Sequence, residues 1–235
     1  MRGLAVLLAV VCVTYAVDCN ATSTFQIHVP EGWTNLAGPE ARKSVAAARA
    51  AGAINDELAQ RLQSTDYAAF AVHPTGDSGL YESMNAVVKD GASPITIEAL
   101  NRLVEQFRTG TNTGINSKVV MREPEVFTIA GVHCGKITSD LELNGTPMRN
   151  TIYLLPSKSQ MANVTFSAPR DVFEQHRGLY EATVASTGGL AEPVSSNPAL
   201  PYIIAASTAA GVVAAETARR RRAAQGAKNE KAQTG

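Results

Sequence analysis

The chain has 235 residues, 45% of them hydrophobic and 18% charged, which suits one globular domain with end segments rather than a disordered polymer. Lys/Arg and Asp/Glu balance at 21 each, but unevenly: residues 17–198 carry 14 basic against 19 acidic groups, and residues 216–235 carry 6 against 2. A net-acidic body argues against nucleic acid as a partner, and a basic tail suits the cytosolic flank of a membrane span.

Met1 to Ala16 reads MRGLAVLLAVVCVTYA: one arginine, an apolar run from Leu4 to Val13, then small residues ahead of a cut after Ala16. This is the layout of a cleaved secretory signal, and the run is too short to span a bilayer. Residues 17–194 then form the expected extracytoplasmic domain.

Phe25 to Val29 alternates apolar and polar and runs into the turn Pro30-Glu31-Gly32-Trp33, which predicts a strand. Glu40 to Gln63 reads helical, with a fresh start near Asn55. Tyr67–Val72 and Leu80–Lys89 read as strands. Ser93-Pro94 has the order of an N-cap followed by a first-turn proline, with Ile97, Leu100, Val104 and Phe107 on one face. Strands are expected at Ser117–Arg122, Val126–Ile129, Val132–Glu142, Asn150–Leu155 and Ala162–Ser167, with Asn144-Gly145 as a hairpin turn. Pro169 opens a last helix whose apolar side is Val172, Phe173, His176, Leu179, Tyr180 and Val184, ended by Gly188-Gly189. Strands in runs separated by helices give an α+β fold, an antiparallel sheet flanked by helices.

Residues 195–198 make a short linker. Ala199 to Ala215 is uncharged, and residues 199–218 read as one transmembrane helix with Tyr202 at the interface. Arg219, Arg220, Arg221 and Arg222 supply a stop-transfer signal and place the tail, 219–235, in the cytoplasm. The N-terminal signal demands the same single-pass orientation. A packed terminal helix of the domain is the competing reading of so alanine-rich a run. Ser207, Gly211 and Ala215 lie four apart on one helix face, the small-xxx-small spacing that would pair two copies as a homodimer.

The segments Ile27-His28-Val29-Pro30-Glu31-Gly32-Trp33, Met84–Val88, Tyr153–Pro156 and Val164–Pro169 resemble the PsbP-like superfamily, which includes DcrB-like envelope proteins. The likeness spans about residues 25–190. It implies helices packed around an antiparallel sheet and a non-enzymatic accessory or binding role, with no catalytic residue to carry over.

The chemistry in the chain is sparse. Removal of Cys12 with the signal leaves Cys19 and Cys134, which an oxidising compartment would join as a disulfide; the alternative is two separate thiols. His133 and Cys134 are adjacent on a strand and point to opposite faces. His28, His73 and His176 are scattered singly, so neither metal nor other cofactor is expected. Glu123/Glu125 and Asp140/Glu142 read as solvated pairs on one face of a strand. Trp33 reads as core packing. Asn20, Asn144 and Asn163 head glycosylation sequons. The expected function is a membrane-anchored extracytoplasmic accessory or binding protein without catalytic activity, its partner a protein or envelope component. A structural factor self-associating through the membrane helix, or an enzyme with an unrecognised site, are the alternatives.

Overall fold

The computed structural model describes residues 24–36, 60, 67–75, 80–110, 119–143 and 145–194. The signal segment, Cys19, Asn20, the helix expected over 40–63, Asn144, the linker and the membrane segment with Ser207, Gly211, Ala215 and the four arginines lie outside them. Among the described residues no helix is long and apolar enough to cross a membrane.

The strands are β1 (Thr34–Asn35), β2 (Ala69–Thr75), β3 (Leu80–Asp90), β4 (Val119–Met121), β5 (Glu125–Ile129), β6 (Val132–Leu143), β7 (Thr146–Pro156) and β8 (Gln160–Pro169); the helices are α1 (Ile97–Gly110) and α2 (Arg170–Ala185). All pairings are antiparallel, in the order β1-β2-β3-β8-β7-β6-β4, and β5 shares the outer edge of β6 with β4. The expected antiparallel α+β architecture is therefore what the chain adopts.

Period-two alternation divides the side chains of the central strands between two layers. One face carries Met84, Ala86, Tyr153, Leu155, Val164, Phe166 and Ala168, covered by Phe173, Tyr180 and Val184 of α2 and by Phe25, Ile27 and Trp33. The other carries Ile137, Ile152 and Leu154, covered by Ile95, Leu100, Leu103 and Val104 of the α1 region. Gly135 lets α1 approach: a Cβ there would stand 2.8 Å from Leu100 Cδ2. The β6–β7 turn at Gly145 has φ +79°, a conformation that glycine adopts without strain.

Four local expectations are corrected. Phe25–Val29 keeps the expected inside–outside alternation, yet its pairing is a single bridge between Gln26 and Gly188, so it is a clasp over the core rather than a sheet strand. The cap of α1 is Thr96, whose Oγ1 accepts the Ala99 N–H at 3.2 Å, three residues beyond Ser93. In α2, Leu179 is 41% exposed and Thr183 takes the inward place. That helix ends at Ser186, before Gly188-Gly189; Gly188 instead holds Gln26 through paired backbone bonds.

Candidate functional site

A carboxylate lies inside the α2-covered layer. Glu82 stands in β3 two residues before Met84 and four before Ala86, in phase with the core, and is wholly buried. The β2–β3 register sets His73 directly opposite it, and His73 Nδ1 is 3.2 Å from Glu82 Oε1. From α2, His176 and Tyr180 project four residues apart on one helix face. His176 Nδ1 lies 2.9 Å from Glu82 Oε2, and the Tyr180 hydroxyl donates to the same oxygen. Two consecutive strands and a helix distant in sequence thus meet on one side chain.

The tight turn at Pro30–Gly32 completes the site. Trp33 N–H donates back to the Pro30 carbonyl at 3.2 Å, and Gly32 takes φ +81°. The indole then stacks on His73, with ring centres 5.7 Å apart at 18°, and meets Phe166 and Tyr180 edge-on. Phe166 and Tyr180 stack at 4.6 Å. These contacts hold the imidazoles from the inside, while the His73 and His176 side chains stay 35% and 39% exposed.

With Glu82 as a carboxylate, each imidazole donates Nδ1–H inward and turns Nε2, an acceptor, away from it. Burial pushes the Tyr180 phenol far above its ordinary range, and its bond to Glu82 adds to the shift. Tyr180 is therefore a fixed donor. Removing a carboxylate from water is costly unless donors replace the lost hydration, and three donors do so here.

The expectation that the histidines stand singly is corrected for His73 and His176, which share one carboxylate. They still do not make a metal site of ordinary geometry. Their ring centres are 6.5 Å apart, so their nitrogens approach no nearer than roughly 4 Å, beyond the ~3.4 Å separating two nitrogens on one tetrahedral zinc. Among the described residues no group of three or more His, Cys, Asp or Glu side chains is arranged to hold a metal ion.

Other singled-out residues lie elsewhere. His133 is exposed, and Glu192 accepts from its backbone N–H at 2.8 Å and lies as close to its Nδ1. Those bonds hold the Glu192 carboxyl below its usual value. Cys134 is fully buried on the opposite face of β6, and desolvation pushes its thiol up to about 11. Asp140 is not merely solvated: Arg149 Nε donates to it at 2.7 Å and Arg122 Nε at 3.0 Å, and Arg149 also pairs with Glu174 over the Phe173 ring. Burial works to raise the Asp140 pKa, but the two guanidinium groups outweigh it and the net shift is downward. Asn163 lies wholly inside β8, where a glycan has no room.

No family model and no curated protein matches the chain. Several solved structures are similar to it at low identity. They include the PsbP of Synechocystis, with TM-score 0.49 and 8% identity over 72% of this chain and 89% of that one. Another is LpqN of Mycobacterium tuberculosis, described as involved in cell envelope biogenesis, with TM-score 0.43 and 13% identity over 71% and 83%. A third is the Saccharomyces cerevisiae Ran-binding protein Mog1p, with TM-score 0.39 and 9% identity over 71% and 90%. PsbP, whose family the segments 27–33, 84–88, 153–156 and 164–169 resemble, is among the structures to which the chain is similar.

Proposed function

We propose that the chain is a non-catalytic accessory or binding protein, extracytoplasmic and tethered by residues 199–218, that recognises its partner through the exposed edges of His73 and His176. The observation that carries this reading is the occupancy of Glu82. Its Oε1 serves His73 while its Oε2 serves both His176 and Tyr180, so the carboxylate positions two imidazoles and its own oxygens are engaged. Trp33 and Tyr180 restrain those rings before any partner arrives, which lowers the ordering cost of recognition. The N-terminal apolar run, the uncharged 199–215 stretch and the four arginines after it support the tether and its orientation.

Crosslinking on intact membranes carrying the full chain, followed by identification of the captured species, tests the reading. A specific partner should appear with the wild-type chain and be lost from His73→Ala/His176→Ala with far-ultraviolet circular dichroism unchanged. Equal capture by both chains, or no specific capture by either, removes it. The Cys19–Cys134 bridge belongs to the same reading and is checked by the mass of the non-reduced chain against the reduced one.

A further inference from the structure

Both ends of the described domain leave it at one pole. At the start, the Thr24 N–H donates to Gln160 Oε1 at 3.3 Å, and Gln160 Nε2 donates to Asp90 Oδ1 at 3.0 Å. At the finish, the Ala191 N–H donates to the Pro156 carbonyl at 3.1 Å and the Val194 N–H to the Lys158 carbonyl at 3.2 Å. Both sets of bonds gather around the Ser157–Ser159 turn between β7 and β8. The β3–α1 link joins that turn through Gly91 N–H and the Ser159 carbonyl at 2.7 Å. The β5–β6 turn at Ala130-Gly131 lies at the same end, because Gly135 is in register with Leu154.

The tether is short. Five residue steps separate Val194 from Ala199, where the uncharged run begins, and full extension gives them a reach of about 17 Å. The sheet is longer than that. Glu82 lies eight residues along β3 from Asp90, and Met148 eight residues along β7 from Pro156, about 27 Å in each case.

Resting on the tethered reading, we propose that the β7–β8 pole is the surface that meets the lipid headgroups. Its exposed residues are the cations Lys89 and Lys158, the acid Asp90, which accepts from Gln160 Nε2, the small residues Ser159, Ala130 and Gly131, and Val194, which is 76% exposed. The flanking Glu192 carboxylate is already held by His133. The flat alternatives carry at least as many acids. The outer face of α2 carries exposed Asp171, Glu174 and Glu181 beside Arg170 and Arg177, and that of α1 carries Glu98 and Glu105 beside Arg102 and Arg108. Laying either on a bilayer would place acids against phosphates. The sheet therefore stands off the membrane, and the His73–Glu82–His176 site faces a partner away from the lipid.

The test uses the full chain in phosphatidylcholine vesicles containing headgroup-nitroxide lipid. A fluorophore is attached at Ser159→Cys or Glu142→Cys in a Cys12→Ser/Cys19→Ser background; both sites are exposed, and Glu142 lies at the opposite end of the sheet. Quenching at residue 159 at least threefold stronger than at residue 142 is the expected result. Equal quenching means the domain lies flat, and stronger quenching at 142 means it is inverted; either overturns the orientation and leaves the tether intact. Extraction of the chain by alkaline carbonate instead removes the tether, and this proposal falls with it.

Discussion

Replacing Glu82 with leucine exchanges the buried carboxylate for an apolar side chain of similar size and removes the acceptor for three donors. His73 and His176 are more than a third exposed and can turn their Nδ1–H groups to water, so their share of the loss is small. Tyr180 is 1% exposed and packed between Phe166 and Phe173, so its hydroxyl is stranded. A stranded buried donor costs about 1–3 kcal/mol. Relief of the carboxylate's own burial offsets part of this. Glu82→Leu should therefore lose about 2 kcal/mol, or roughly 4–8 °C in a domain of this size. The second step is the informative one. Adding Tyr180→Phe removes the stranded hydroxyl, so the double variant should regain at least 1 kcal/mol. Urea unfolding of residues 17–198 followed by the fluorescence of Trp33, the sole tryptophan, measures both. A double variant less stable than Glu82→Leu alone would refute the claim that Tyr180 depends on Glu82 for its partner.

Gly189 has φ +83°, and a Cβ there would fall inside the Thr24 carbonyl, so Gly189→Ala should push Thr24 and Phe25 off the core and lose about 2–3 kcal/mol. Gly178→Ala, in open space on α2, should instead gain about 0.5–1 kcal/mol on the same urea curves. Asp140 has a depressed pKa in the folded state, so its contribution is present above the unfolded value of about 3.9 and lost as pH falls through the lower folded one. Asp140→Asn should lower the urea midpoint at pH 7 and flatten its decline below about pH 4; parallel curves for the two proteins would count against the Arg122–Asp140–Arg149 account. The Cys134 thiol, raised to about 11, should stay unreactive toward a disulfide reagent at pH 8 in the reduced folded chain and react fully in urea.

The sheet was legible in the sequence because its side chains report their environment locally. Leu80–Asp90 and Gln160–Pro169 are long runs bounded by turn residues, and the Asn-Gly pair between β6 and β7 is a local hairpin signal. Where the reading shifted, a longer-range contact decided the outcome. Phe25–Val29 has a strand's alternation, but it is not among the described strands of the sheet, and the backbone of Gln26 closes on Gly188. Ser93-Pro94 has an N-cap order, yet the Gly91–Ser159 bond keeps that link extended along the β7–β8 turn, and the helix starts from Thr96.

The site was hidden for a different reason. His73, Glu82 and His176 are separated by 9 and 94 positions, and no spacing rule connects them. Each did carry a local sign. Glu82 falls in phase with Met84 and Ala86, His73 falls in phase with Ala69 and Ala71, and His176 shares the inward side of α2 with Phe173 and Tyr180. An ionisable residue in a core phase must find donors or acceptors inside the fold, because leaving it without them costs more than a typical hydrogen bond contributes. Three such residues in elements that pack together are therefore expected partners once the β2-β3-β8 order and the position of α2 are known. The opposite layer shows what happens without that reciprocity. Ser83, Ser167 and Asn150 stand side by side on β3, β8 and β7, fully buried, with Ser83 Oγ, Ser167 Oγ and Asn150 Nδ2 lacking a hydrogen-bond partner among the described residues. For Glu82 the partner across the layer decides the outcome: α2 supplies His176 and Tyr180 to it, whereas the described part of α1 turns leucine and valine toward its own face of the sheet.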